Sequence, residues 1–465
     1  MPRPPYARPL RFLLLSIGAL LGPVGLVQAQ APADSTRRPA DSLAVDSLRA
    51  RLERAEAAIA LLRGQLATEN ESAVHTQSRV RLELSAFVLA NAFSTWGRAN
   101  NVDVPQTALA PAPPGSRPPT DYSTGFILRQ SRFGAAMSVT DILGGVAAGD
   151  VDFDLYGGVQ AGPGDRRLFP EPRLRTARMR LIWPRTEVMV GAETPLISDL
   201  NPVSVAAVGI PVFSGAGNLW NWLGQLRVTQ ELARAGTGAR QVSVRAQLAV
   251  MSPYAGQIAP GEPDVIDAGE RSGRPAVEGR MSFRWSDADE PSTIIGGLIG
   301  APGGEIGVGG HRGWIAVPGG TATSEAVSFD VQAALTRWLE LRGEAYAGRL
   351  LRGLGGGAIA QNFGTPPPDA PVGTLGAPLR DVAGWVQVNV QPHPVVLSGV
   401  ACGIDLVDPD GDPVRRQNTV CAVHTTWRPV QPVVIGVEYR QYGTRYTAVG
   451  THGVRHLNFA FGFEL

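Results

Sequence analysis

A few constellations in this 465-residue chain carry residue types capable of chemistry, and in each the spacing limits what that chemistry could be. Asp408-Pro409-Asp410-Gly411-Asp412 sets carboxylates at alternate positions, as calcium loops do. An EF-hand then needs Gly at its sixth position and Glu at its twelfth, where this chain has Pro413 and Thr419. It reads as a solvated turn. The run from Gly353 through Gly355, Gly356 and Gly357 to Ala358 fits a loose dinucleotide fingerprint but lacks the strand–turn–helix setting that gives such glycines meaning. His452 and His456 would share a strand face about 13 Å apart, too far to hold one metal. No nucleophile elbow and no HExxH occurs, and no Ser/His/Asp grouping can be placed from spacing. The expectation is a protein without cofactor, metal or catalytic activity.

Cys402 and Cys421 lie at nearly mirrored distances from the ends of a polar stretch, 404–416. If that stretch joins two paired strands, the thiols are cross-strand neighbours and form a disulfide in an oxidising envelope; otherwise they remain two free thiols.

What remains is charge in quantity. The 42 basic residues are all arginine and face 41 acidic ones, so the net charge of +1 gives no global field for nucleic acid. The question becomes which elements hold so many charges. From Arg79 to Leu465, segments of roughly 9 to 15 residues alternate apolar with polar or small residues, the period of a strand with two different faces. Val242, Val244, Ala246, Leu248 and Val250 alternate with Ser243, Arg245 and Gln247. The last segment sets Leu457, Phe459, Phe461, Phe463 and Leu465 against His456, Asn458, Ala460, Gly462 and Glu464.

The connections distinguish a barrel from a sandwich or a propeller. Short turns (near 140–145, 184–186, 235–239, 286–292, 336–340, 391–394 and 428–432) alternate with long loops (97–120, 161–172, 194–218, 254–274, about 301–322, 351–379, 404–416 and 443–451). That is the pattern of a transmembrane barrel, here of about 16 antiparallel strands. Trp183, Trp285, Trp338 and Trp427 each sit at or beside a short turn, as one interfacial girdle requires.

Strand parity then sorts the charges. Arg132, Arg178, Arg180, Arg227, Arg245, Arg280 and Arg284 fall on inward positions, as do Asp150, Asp152, Asp154, Asp330, Glu340, Glu344 and Glu438. Two arrangements fit: a basic wall facing an acidic one, which focuses a transverse field, or Arg–carboxylate pairs that simply fill a polar lumen. The loop from Thr194 to Asn218 includes Pro195, Asp199, Pro202, Pro211 and Phe213 among several small apolar residues. Such a loop packs on something, and tucking into the lumen as a constriction is the favoured reading over a mobile outer loop.

The N-terminus carries Arg3, Arg8 and Arg11, the apolar run Phe12–Val27, then Val27-Gln28-Ala29, the layout of a cleaved secretory signal peptide over 1–29. Its apolar run of roughly 16 residues is short of the ~20 that a spanning helix needs. A linker over 30–44 comes next. Over 45–72, Val45, Leu48, Leu52, Ala55, Ile59, Leu62 and Leu66 repeat as a heptad seam, read as a periplasmic coiled coil or as one amphipathic helix lying on its own domain. The barrel takes 79–465.

The strand from Arg129 through Gln130 and Ser131 to Gly134, the acidic strand Val151–Gly157, and the loop ending Gly215-Ala216-Gly217-Asn218-Leu219-Trp220-Asn221-Trp222 resemble DcaP-like trimeric outer-membrane porins and, more loosely, phosphate-selective porins. The resemblance implies a sixteen-stranded homotrimer in outer-membrane lipid, with an inward third loop, passing small and often anionic solutes. Two departures are visible. The chain ends in Leu465 where such barrels usually end in an aromatic residue, and 194–218 is poor in charge. Other roles stay open: a plugged structural or adhesive barrel, or a secreted β-rich sugar-binding protein or enzyme.

Overall fold

The computed structural model describes residues 73–75, 80–112, 121–157, 170–236, 241–256, 266–285, 299, 303–371 and 373–465. The expected signal peptide, linker and coiled-coil helix lie outside the described residues. No helix among the described residues is long and apolar enough to cross a membrane.

Two-residue alternation dictates the architecture. A strand with one apolar and one polar face must meet a different solvent on each side, and closing the sheet leaves no unpaired edge. The strands are β1 (Ala73–His75), β2 (Val80–Trp96), β3 (Tyr122–Ile127), β4 (Arg132–Ile142), β5 (Gly145–Gly157), β6 (Glu171–Ile182), β7 (Thr186–Glu193), β8 (Leu223–Ala235) and β9 (Val242–Met251). They continue as β10 (Ala276–Trp285), β11 (Gly303–Val317), β12 (Gly320–Thr336), β13 (Leu339–Arg349), β14 (Arg380–His393), β15 (Val396–Val407), β16 (Arg415–Trp427), β17 (Val433–Tyr446) and β18 (Gly450–Glu464).

Each pairs antiparallel with its chain neighbour, and β18 pairs with β2, closing a sixteen-stave barrel. The count is sixteen because β3 and β4 are two halves of one stave, both paired to β2, while the three-residue β1 only pairs antiparallel with the start of β2. The seam holds to the last residue: the Leu465 and Ala86 backbones exchange hydrogen bonds of 2.8 and 3.1 Å. The outer face is apolar, with Met179, Leu248, Val308, Val327, Phe459 and Phe461 exposed; Asn91, Asp330, Asn389, Glu438 and Asn458 are buried within. The four tryptophans lie at the short-turn end, at the end of β10 and β16 and between β6–β7 and β12–β13.

Several expected boundaries are corrected. The long loop foreseen at about 301–322 is instead, from Gly303 on, strand β11 and a tight turn at 318–319; the turn foreseen at 286–292 lies outside the described residues. The glycine density that reads as loop has a packing cause. A Cβ at Gly307 would fall 2.5 Å from Arg280 Nη2, and one at Gly309 would fall 3.2 Å from Ile197. The stretches 404–416 and 443–451 shrink to connections at 408–414 and 447–449, because Asp405, Tyr442, Thr444 and Tyr446 are buried strand residues.

The segment 129–134 is not one strand. The chain leaves the ladder between Ile127 and Arg132, turning Gln130 into the lumen. Asp408 accepts from the Asp410 N–H and forms a short turn, and the glycine run at 353–357 packs over β14 and β15 with no strand–helix unit beside it.

Cys402 and Cys421 are directly opposite on β15 and β16 and are joined as a disulfide on the outer face. Alkylation of the denatured but unreduced chain is expected to leave its mass unchanged, and prior reduction to add two adducts. Adducts without reductant would show free thiols.

Candidate functional site: the lumen and its inward loop

The charged lumen is built stave by stave. Asp150, Asp152 and Asp154 sit on β5, between Arg132 on β4 and the arginines of β6. Arg132 bonds Asp152 at 2.9 Å; Arg178 and Arg180 bond Asp150 at 2.8 and 3.2 Å; Arg178 also reaches Glu193 at 2.5 Å. Farther round, Arg280 is held by Asp330 at 2.6 Å and Glu305 at 2.8 Å, with Asp199 of the loop 3.9 Å away. Arg284 bonds Glu305 at 2.5 Å, and Arg342 bonds Glu340 at 2.6 Å. Arg440 pairs with Glu438. Arg227 donates to Gln225 and to the Thr194 carbonyl, and Arg245 also has an interaction partner. Opposite charges are interleaved on neighbouring staves, so no basic wall faces an acidic one.

Burial of such pairs is tolerable only when each group is hydrogen-bonded, because desolvation costs several kcal/mol per ion. Water contact varies around the ring. The side chains of Arg178 and Arg180 are 33% and 30% exposed, whereas those of Arg440 and Glu438 are 0% and 1% exposed. The most exposed of these pairs lie along β4–β6, and something covers the wall from β10 round to β2.

That cover is the loop between β7 and β8, residues 194–222. The Leu196 N–H donates to Glu278 on β10, and Ile197 packs on Gly309 of β11. Glu344 on β13 accepts from Ser198 Oγ (2.8 Å), Leu200 N–H (2.7 Å), Asn218 Nδ2 (3.0 Å) and Trp385 Nε1 (3.0 Å). Val203 exchanges hydrogen bonds with Gln387 on β14, and Ser204 donates to Glu438 on β17. Asn91 on β2 donates to the Val205 carbonyl, and Gln130 brackets Ala206, Val208 and Gly209. Arg173 and Arg175 then hold the Gly209 and Val208 carbonyls from β6. The return limb stacks Phe213 on Trp385 at 5.7 Å between centroids. Among the loop residues named from sequence, Phe213 and Asn218 are fully buried, while Asp199 touches the Arg280 cluster. Pro195 and Pro211 accept backbone hydrogen bonds in local turns, from Ser198 and Ser214, and Pro202 sits half-buried between the Glu344 and Gln387 anchors.

Sequence reasoning missed a second inward segment. Residues 97–112, between β2 and β3, also fold inside. Ala108 bonds Thr444 and Tyr446, and Asp103 holds Arg129 at 2.7 Å, with the Arg129 guanidinium 3.7 Å over the Tyr156 ring. Arg173 and Arg175 were missed because a bulge opposite Asp152/Phe153 reverses parity within β6. Arg342 and Arg440 lie two residues from Glu340 and Glu438, on the same face, so parity carried their signal.

One constellation has the order of a hydrolytic triad: Ser324 Oγ lies 3.0 Å from His311 Nε2, and His311 Nδ1 lies 2.9 Å from Glu278. The adjoining cavity of about 20 Å³ holds roughly one water, and the second Glu278 oxygen is committed to Leu196 and Ile197. It fastens the loop. No group of three or more His, Cys, Asp or Glu residues among the described residues could hold a metal.

Glu344 is the anchor with most to lose. Glu344→Ala strands four donors, at a cost on the order of 3 kcal/mol to loop docking. Chymotrypsin is expected to cut at Phe213 or Trp220 in folded E344A and to spare the parent; equal resistance would remove Glu344 from that role.

No protein-family model matches the sequence, and no curated protein matches it either. Solved structures do. The outer membrane channel DcaP of Acinetobacter baumannii superposes with a TM-score of 0.61 at 14% identity, over 85% of this chain and 100% of that one. An anion-selective porin from Comamonas acidovorans gives 0.50 at 10% identity, over 83% and 100%. Sixteen staves closed by β18 on β2, with the third loop lying inside, give this chain the fold of a DcaP-type porin barrel.

Proposed function

We propose that the chain is a passive diffusion channel of a bacterial outer membrane, admitting small hydrophilic solutes, with a mild preference for anions. In this reading the leader over 1–29 is removed, the helix over 45–72 stands in the periplasm, and three copies assemble through their walls and helices. One observation carries the channel reading: a barrel whose outer face is apolar encloses a lumen that is charged and, along β4–β6, in contact with water. A plain soluble protein has no use for that inversion.

The anion preference comes from reach. In the three most exposed pairings along β4–β6 the guanidinium is more exposed than its carboxylate, Arg132 over Asp152 and Arg178 and Arg180 over Asp150, whereas Arg175 and Arg284 are less exposed than Asp152 and Glu305. A passing solute meets the positive end of those three first. The porin from Comamonas described as anion-selective shares the fold, which is consistent with this reading.

A plugged structural barrel is favoured by a different observation. Val104, Ala108, Tyr156, Phe213, Trp385, Tyr442 and Val454 form one apolar cluster joining both inward segments to the wall. Planar bilayers separate the two. A channel gives discrete conductance steps, and under a KCl gradient its reversal potential lies on the anion side. Replacing Arg178 and Arg180 together with Ala should move that potential toward cations, and D150N/D152N should move it the other way. A folded barrel that never conducts would leave the plugged reading standing, and conduction with no shift in either variant would remove the hydrated pairs from selectivity.

A further inference from the structure

The outer wall carries an irregularity near the loop end of β11–β15. A lipid-facing surface is normally apolar, and a basic side chain there costs more the deeper it lies. Here register places Arg312, Glu325, Arg349 and Arg380 side by side on β11, β12, β13 and β14. All four share the outward parity of Val327, Val382 and Leu406. Arg349 and Arg380 are directly opposite one another, an arrangement that is destabilising for like charges. Glu325 answers Arg349 at 3.0 Å. Asp408, next to Arg380 on the β15 side, uses its carboxylate on the Asp410 N–H.

Beneath this row the wall is hollow. Ala345, Ala347 and Gly384 occupy outward positions on β13 and β14, where their neighbours carry Phe329, Val327, Val382 and Leu406. At the loop end of this hollow, over Ala347, lies a groove of about 820 Å³ whose lining includes Glu325, Val327, Arg349, Arg380, Val382, Leu406 and Asp408. Two adjacent guanidiniums above an apolar trough match one chemistry, an anionic phosphate group carrying hydrocarbon chains. Guanidinium binds phosphate in bidentate fashion, and basic pockets at a membrane surface bind anionic headgroups.

We propose that this groove binds a phosphorylated, multiply acylated lipid of the leaflet at the loop end, its phosphate bridging Arg349 and Arg380 and its acyl chains lying over Ala347 and Val382. The bridge relieves the repulsion between the two cations and fills a hollow that would otherwise be a packing defect against bulk lipid. Phosphate chemistry and groove filling are both required. The inference rests on the outer face meeting lipid, yet it is independent of whether the lumen conducts.

Native mass spectrometry of the mature chain in detergent tests it, with bisphosphorylated lipid A as probe and phosphatidylethanolamine and inorganic phosphate as comparisons. The parent should retain lipid A at least tenfold better than R349A/R380A, and better than it retains phosphatidylethanolamine. A347W, which fills the trough with both arginines intact, should lose retention to a similar degree. Heat-modifiable migration of each variant confirms that the barrel has formed. Equal retention by the parent and both variants would overturn the site. So would uptake of inorganic phosphate with no lipid preference, or a mass increment equal to a second copy of the chain that depends on Arg380. Absence of conductance in bilayers would sink the channel reading and leave lipid retention measurable.

Discussion

Everything in this molecule stems from the impossibility of leaving a backbone amide unpaired in hydrocarbon. Each orphan group would cost several kcal/mol, so a sheet in oil must close. Closure fixes parity: once β18 bonds β2, every stave has one face outward and one inward, and the sequence must supply Phe459 and Phe461 on the first and Asn458 and His456 on the second. The lumen inherits a fixed ring of polar positions. Its charges are not free to drift into separate walls, because each of these arginines takes a carboxylate within reach, on the next stave or two residues along its own. Hence the interleaving of Arg132, Asp152, Asp150 and Arg178.

The same constraint explains why the inward loop is so heavily tethered. A segment inside a barrel has carbonyls and N–H groups of its own, and no sheet to pair them. Side chains of the wall take over that duty. Glu278, Glu344, Gln387, Gln130, Arg173 and Arg175 each bond main-chain groups between Leu196 and Gly209. Buried carboxylates such as Glu344 are therefore satisfied by loop amides rather than by arginine alone. Lumen polarity serves two ends, water at the exposed pairs of β4–β6 and the loop round much of the rest.

How much of this was legible in the sequence depends on periodicity. Outward and inward assignments in the last strand, in β9 and in β10 come from alternation alone, because nothing interrupts the period there. Parity misleads where the ladder itself is irregular. One extra residue in β6 reverses the sense of Arg173 and Arg175, and the break at Gln130 hides inside what reads as a continuous strand. Strand β11 was lost for another reason: its inward glycines answer to Arg280 and Ile197, which are distant in sequence. The inward folding of 97–112 has no local signal, since Asp103 and Ala108 acquire their partners, Arg129 and Thr444, only when the barrel closes.

Glycine placement then decides how close the loop can lie. A Cβ at Gly403 would fall 2.7 Å from the Phe213 ring, and one at Gly436 would collide with Val205. Both glycines face inward, on β15 and β17, where the loop passes. Gly217 adopts a left-handed φ of 108° and rests against the Gly384 backbone, an approach that a side chain would block. The wall is thus thinned at these points along the track that the loop takes, while arginines such as Arg173, Arg175 and Arg342 hold its carbonyls elsewhere. The course of the loop is set as much by where side chains are missing as by where polar anchors stand.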